Sequence, residues 1–262
     1  MIQIMHTDVH GWEAAIRGMR NPMNSWDKSD SWYGCCAGDY GHTEASECGE
    51  RCRLDCRFQI GMNDLKLMKQ LVSAGTDHSK FMRFINVTCD IVAPMYWWKE
   101  FDTYKVGTVR NSCSTMHKIT AKKFDLDDFS RDHLFCEDEV SVLWGDSVPV
   151  RTLSIIIKVL NEYRAKYLEC KNGNKKKLYW WQLIQLLPSS YNQRSTVQMN
   201  YAVLRNMYHA RKAHKLDEWH EFCAWVEQLP NAELITGDKA DLAVDELYHK
   251  ALKGIKNYGG DN

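Results

Sequence analysis

Between Ile85 and Ala93 the residues Ile85, Val87, Cys89 and Ile91 alternate with Asn86, Thr88 and Asp90, and Pro94 follows at once. A period of two puts the apolar set on one face of an extended chain and the polar set on the other. A prolyl nitrogen has no N–H to donate, so the strand closes there. A half-buried strand needs partner strands and a covering layer, so the chain must build a sheet packed against something else. It also delivers the chain directly to Tyr96-Trp97-Trp98.

Around this strand the periodicity turns helical. Trp12, Ala15, Ile16 and Met19 share a face over residues 11 to 20, and Asn21-Pro22 ends the run. Asn63-Asp64 are placed to cap a helix carrying Leu65, Met68, Leu71 and Val72, which Gly75 stops. Leu153, Ile156, Leu160, Tyr163 and Tyr167 predict a helix over 149–170, Lys171 to Lys177 reads as a solvated break, and a second helix is expected at 178–187. After Leu187-Pro188, the spacing of Val197, Tyr201, Leu204, Met207, Tyr208 and Arg211 predicts another helix of about 15 residues. Asp238 is placed to cap a last helix through Leu252. Few strands among several helices, without internal repeats, give an α+β class and one domain over residues 1–262. A polar, Gly-rich segment with five cysteines at about 25–57 reads as a loop or insertion.

Composition excludes several functions. Lys plus Arg and Asp plus Glu each total 34, so no overall basic field draws the chain to a nucleic acid polymer or an anionic membrane. No stretch approaches the roughly 20 apolar residues that span a bilayer, and no signal pattern opens the sequence, so a cytoplasmic location is expected. Most of the ten cysteines are expected to be free thiols. A Gly-rich phosphate loop, a His-Glu-x-x-His helix and a Gly-x-Ser-x-Gly elbow are absent, which disfavours kinase, zincin and hydrolase chemistry.

The most specific pattern lies in the C-terminal half. Pro188 is followed after twelve residues by Asn200, six further on by Asn206, and eleven beyond Asn200 by Arg211. Upstream, His78 stands sixteen residues before Pro94, with Thr88, Ile91 and Ala93 between them. After Pro94 come Lys105, Thr108, Asn111 and Ser114. In these spacings the chain resembles the flavin-dependent thymidylate synthases, the thymidylate-synthase-complementing family, over about residues 62–118 and 150–228. It departs from the family pattern as well. Thr103 and Tyr104 replace an Arg and a His, Glu100 replaces a Gln, and Ile184 replaces a phosphate-binding Arg. Each lost guanidinium removes charge-assisted hydrogen bonds worth about 1.5 to 3 kcal/mol apiece. Lys105, Arg110, His117 and Lys118 are candidates to replace them.

The resemblance implies a small twisted sheet with helices, and a homotetramer with flavin sites at subunit contacts. It implies FAD as cofactor, NADPH and methylenetetrahydrofolate as co-substrates, and reductive methylation of dUMP to dTMP or of a related pyrimidine deoxynucleotide. It assigns His78, Lys105, Thr108, Asn200 and Asn206 to the cofactor, and Glu100, Ser114 and Arg211 to the substrate. The residue types suit those tasks, because an amide satisfies the flavin's mixed donor and acceptor edge while a guanidinium forks onto oxygens. On a helix at 100° per residue, Asn200 and Arg211 share a face with Met207, while Asn206 points elsewhere. No protein nucleophile is required, and Cys113 and Ser114 have no partnering base.

Two other readings stay open. A non-catalytic homologue would keep the flavin or nucleotide site without turnover. A zinc-stabilised interaction protein would use Cys48, Cys52 and Cys56, with Cys35, Cys36 and His42 upstream, although structural zinc sites favour tighter Cys-x-x-Cys turns.

Overall fold

The structure, a computed structural model, describes residues 2–34, 41–42, 57–135 and 148–237. The chain opens with β1 (Gln3–His10) and α1 (Trp12–Arg20). The short strands β2 (Trp32–Gly34), β3 (Gly41–His42) and β4 (Arg57–Gln59) precede α2 (Met62–Ser73). Next come β5 (Asn86–Pro94), α3 (Met95–Phe101), β6 (Thr108–Ser112) and α4 (Thr115–Lys118). A long hairpin of α5 (Pro149–Glu169) and α6 (Gly173–Leu186) follows. The chain then runs through β7 (Asn192–Asn200), α7 (Tyr201–Arg211), α8 (Asp217–Val226) and α9 (Glu233–Thr236).

The main sheet is antiparallel in the order β1, β5, β7, β6. The alternation around Cys89 becomes β5, with Val87, Cys89, Ile91 and Ala93 buried and Pro94 at its end. One sheet face carries the core, where Met68, Trp97, Phe101, Met207, Trp219 and Phe222 are all buried. Each such side chain contributes about 1.5 to 3 kcal/mol on leaving water. Gly11 joins β1 to α1 at φ 94°, where a Cβ would fall 2.0 Å from the Phe84 carbonyl oxygen. A second apolar cluster lies under the α5–α6 hairpin and takes in Ile119, Phe124, Phe129, Leu160 and Leu183.

Several boundaries differ from the sequence reading. Residues 192–200 form a strand rather than the start of a helix: Ser195, Val197 and Met199 are buried in alternation against β5. The helix begins at Tyr201. The α6 helix begins at Gly173, because the Asn172 side chain accepts from the Lys175 N–H and caps it; Lys175 to Lys177 are its first turns rather than a break. Within the expected insertion, β2 pairs with both β3 and β4 in a small antiparallel sheet. The expected terminal helix beyond Asp238 lies outside the described residues.

The α2 helix is not capped by Asn63 and Asp64. Asp30 serves it from a distance, its carboxylate accepting from the N–H groups of Asn63 (2.9 Å) and Asp64 (3.1 Å). Asp64 is fully buried instead and accepts from Arg20 Nε at 2.6 Å, Ser29 Oγ at 2.7 Å and Ser31 Oγ at 2.6 Å. Burial alone would raise its carboxyl, but the hydrogen bonds from Ser31, Ser29 and Arg20 outweigh it and hold the group below its ordinary value. Among the described residues, no helix is long and apolar enough to cross a membrane.

Candidate functional site

Pro94 turns the chain from β5 into α3, which sends Trp97, Trp98 and Phe101 into the core and leaves Glu100 at the edge. Arg211, at the last turn of α7, meets it there: Arg211 Nη1 donates to Glu100 Oε2 at 2.5 Å. Arg211 Nε donates to the Tyr104 hydroxyl at 2.9 Å, and the guanidinium carbon lies 4.9 Å from the centre of the Trp219 ring and 5.5 Å from that of Tyr104. His214 Nε2 stands 3.2 Å from the same Glu100 oxygen. The guanidinium is therefore fixed by two hydrogen bonds and two aromatic faces, a planar arrangement that an ammonium does not reproduce. Its Nη2 has no hydrogen-bond partner among the described residues.

The turn between α3 and β6 brings in the next group. Gly107 sits at φ 83°, and a Cβ there would fall 2.7 Å from Asn200 Nδ2. The Asn200 N–H donates to the Gly107 carbonyl at 3.3 Å, and its side-chain Oδ1 accepts from the Val203 N–H at 2.9 Å. Asn200 is thus the N-cap of α7 as well as the last residue of β7, so the face that it was expected to share with Arg211 by helical rotation does not apply. Its Nδ2 remains available as a donor. Thr108 donates its hydroxyl to the Tyr104 carbonyl, and Lys105 is exposed between them.

Asn206 is exposed in the middle of α7, about 100° around the helix from the buried Met207. His78 is exposed in a turn that leads into the 3-10 segment Lys80–Arg83, which packs against α7. These residues stand at one end of the sheet.

Ser114 stands at the other. It lies six residues beyond Thr108, roughly 20 Å along an extended chain. Its Oγ accepts from the His117 N–H at 3.2 Å and caps α4. It opens into a cleft of about 320 Å³ with Lys118, Lys122, Tyr191, Asn192 and Arg194. The Asn192 Oδ1 is buried there without a hydrogen-bond partner among the described residues. Burial pushes the Tyr191 hydroxyl up, and the hydrogen bond to Asp128 raises the Lys122 amine.

Of the candidates to replace the missing guanidinium groups, Arg110 is already engaged. It donates to both Asp102 carboxylate oxygens, to Ser195 Oγ and to Gln193 Oε1, and lies 3.8 Å over the Trp98 ring. Ile184 packs into the second core. Among the described residues, no group of three His, Cys, Asp or Glu is arranged to hold a metal. Cys48, Cys52 and Cys56, the zinc candidates, lie outside the described residues. Sequence reasoning took Tyr104 only as the loss of a His and missed His214 and Trp219; these three residues hold the Glu100 and Arg211 pair. His214, three residues after Arg211, was the one nearby signal.

No protein-family model matches the chain, and no curated protein matches it in sequence. Solved structures do match it in fold. The flavin-dependent thymidylate synthase ThyX of Helicobacter pylori, complexed with FAD and dUMP, gives a TM-score of 0.55 at 14% identity, over 89% of this chain and 97% of that one. A second structure of that enzyme with FAD and dUMP gives 0.55 at 14% identity, over 92% and 99%. The UMP/dUMP methylase PolB of Streptomyces cacaoi, bound with 5-Br dUMP, gives 0.52 at 13% identity, over 90% and 95%. The chain therefore has a ThyX-like α+β fold.

Proposed function

We propose that this protein is a flavin-dependent enzyme that methylates a pyrimidine deoxynucleotide, with dUMP as its substrate. The observation that carries the reading is Arg211, held flat with Nη2 unspent at the last turn of α7, in a ThyX-like fold whose Asn200 caps the other end of the same helix. The donor set suits a flavin nucleotide in kind: the Asn200 Nδ2, the exposed Asn206 amide, the exposed Lys105 ammonium and the exposed His78 ring. When bound, the flavin supplies the hydride or carries the one-carbon unit, with NADPH as reductant and methylenetetrahydrofolate as donor.

The chain's own residues orient and discriminate. Arg211 Nη2 donates to a nucleotide oxygen, and Glu100 with Tyr104 keeps the guanidinium from turning away. Lys105 offsets phosphate charge at the turn, Thr108 holds that turn closed on Tyr104, and Ser114 reaches the nucleotide from the far end of β6. Because Asn206 and Ser114 face away from Arg211, the reading includes a homotetramer in which neighbouring chains complete each site.

One observation favours a second reading, a nucleotide binder without turnover. Arg211 is paired to an acid, Arg110 is engaged, and position 184 is apolar, so among the described residues no guanidinium at these positions is left free for a phosphate. The test is incubation of purified protein with FAD, NADPH, methylenetetrahydrofolate and dUMP, followed by mass spectrometry of the nucleotide. A gain of one methyl group supports the enzyme. Retained flavin with unchanged dUMP supports the binder.

A further inference from the structure

The chain's zero net charge conceals a strong asymmetry. Between Pro149 and Leu186, the two helices of the hairpin and their turn carry eight Lys and Arg against Glu162 and Glu169, a net +6 in a chain whose total is zero. Part of that charge is gathered around aromatic rings. A cleft of about 460 Å³ opens between α4 and the hairpin, lined by Met116, His117, Tyr167, Lys176, Lys177 and Trp180, with no acid among its lining residues. The Lys176 amine lies 4.7 Å from the centre of the Tyr167 ring. Trp180 donates its Nε1 to the Met116 carbonyl at 3.1 Å, which fixes the indole against α4. The Lys177 and His117 side chains are exposed at its rim.

We infer that this face of the α5–α6 hairpin binds single-stranded nucleic acid, with a base stacked between Tyr167 and Trp180 and the adjoining phosphates met by Lys176 and Lys177. Positively charged grooves combined with stacking rings bind unpaired strands without sequence preference, because every base has a π-face and every phosphate a charge. A net +6 concentrated on one hairpin favours a polyanion over a lone nucleotide, since each added phosphate contact releases further counterions. A lipid surface is less well matched, because Tyr167 and Trp180 are only half-exposed and the indole is tied to the Met116 carbonyl, so neither ring stands out from the surface to insert into a lipid layer. The inference departs from the expectation drawn from total charge, which averages this hairpin with an acidic remainder. It does not depend on the flavin reading, which gives no role to Tyr167, Lys176, Lys177 or Trp180.

The test uses the full chain and fluorescein-labelled oligouridylate and oligothymidylate of about twelve nucleotides, within the usual site size of roughly 4 to 16. Fluorescence anisotropy at about 50 mM salt should show saturable binding, with an affinity that falls steeply as salt rises. The double variant Lys176→Glu, Lys177→Glu should weaken binding at least tenfold. The exposed single variant Lys177→Gln should weaken it less and reduce the salt slope by about 0.7, one phosphate contact on a single strand. Circular dichroism melts of both variants exclude misfolding. Absence of oligonucleotide binding overturns the proposal, as does binding untouched by the Lys177→Gln change. Displacement of the oligonucleotide by AMP or UMP at equal affinity also overturns it, in favour of a free nucleotide. Lysine-dependent binding to phosphatidylserine vesicles without oligonucleotide binding overturns it in favour of a membrane surface.

Discussion

Glu100 and Arg211, 111 residues apart in sequence, share a hydrogen bond of 2.5 Å between Oε2 and Nη1 at the edge of the main core. The pair is partly exposed, so water and salt screen it and its net contribution to stability is modest, about 0 to 1 kcal/mol. Its consequence is positional. It fixes a guanidinium whose Nη2 points to no other described group.

Arg211→Lys tests that role. The ammonium keeps the charge and loses the planar fork, so nucleotide affinity should fall about 10- to 100-fold, as for one or two charged hydrogen bonds, with flavin retention unchanged. Isothermal titration with dUMP reads the first quantity and absorbance after desalting the second. Glu100→Gln keeps the shape and removes a negative charge beside the anion. It should tighten dUMP binding by roughly 2- to 10-fold at low salt, and less at high salt.

Asn200 has two separable tasks. Asp is as good an N-cap as Asn but brings no amide donors, so Asn200→Asp should leave stability within about 0.5 kcal/mol and weaken flavin retention. Asn200→Ala should cost about 1 kcal/mol in denaturant unfolding as well. Equal flavin affinity in Asn200→Asp and the parent would reduce Asn200 to a cap.

The Arg20 and Asp64 pair is of a different kind, buried at both ends with 2.6 Å between Nε and Oδ1. Asp64→Asn leaves a buried guanidinium without its counter-charge and should destabilise the protein by about 3 to 5 kcal/mol in urea titrations. The folded carboxyl lies below its ordinary value of 3.8, so its contribution is fully present above that pH and is lost as pH falls through the folded value. The gap between parent and Asp64→Asn should therefore be constant near neutrality and shrink below about pH 4.

Among the described cysteines, Cys89 and Cys223 are buried, and burial pushes their thiols up to about 12 and about 11. Both should resist iodoacetamide in the native protein at mildly alkaline pH and react only in denaturant, while the exposed Cys113 should alkylate at once. Peptide mass spectrometry separates them.

What could be read in the sequence was local and regular. β5 was legible because Val87, Cys89 and Ile91 alternate without interruption up to Pro94, and α1 because Trp12, Ile16 and Met19 keep one face. β7 was not, because Val197, Tyr201 and Leu204 fall at helical intervals across a strand-to-helix junction and mask the alternation of Ser195, Val197 and Met199. β1 escaped because its pairing with β5 shifts register between Met5 and Asp8, around His6 at φ 55°, which breaks the period. The site residues were found by spacing, yet their relations were not. No spacing rule says that Glu100 meets Arg211, or that Asn200 spends its oxygen on Val203. Those contacts join segments that only the fold brings together.

The most direct measurement is the visible spectrum of the purified protein after incubation with FAD and desalting, followed anaerobically by NADPH and then by dUMP with methylenetetrahydrofolate. The account predicts a retained flavin band that NADPH bleaches and that returns when both substrates are present. Protein that emerges from the column at micromolar concentration without a flavin band would contradict it.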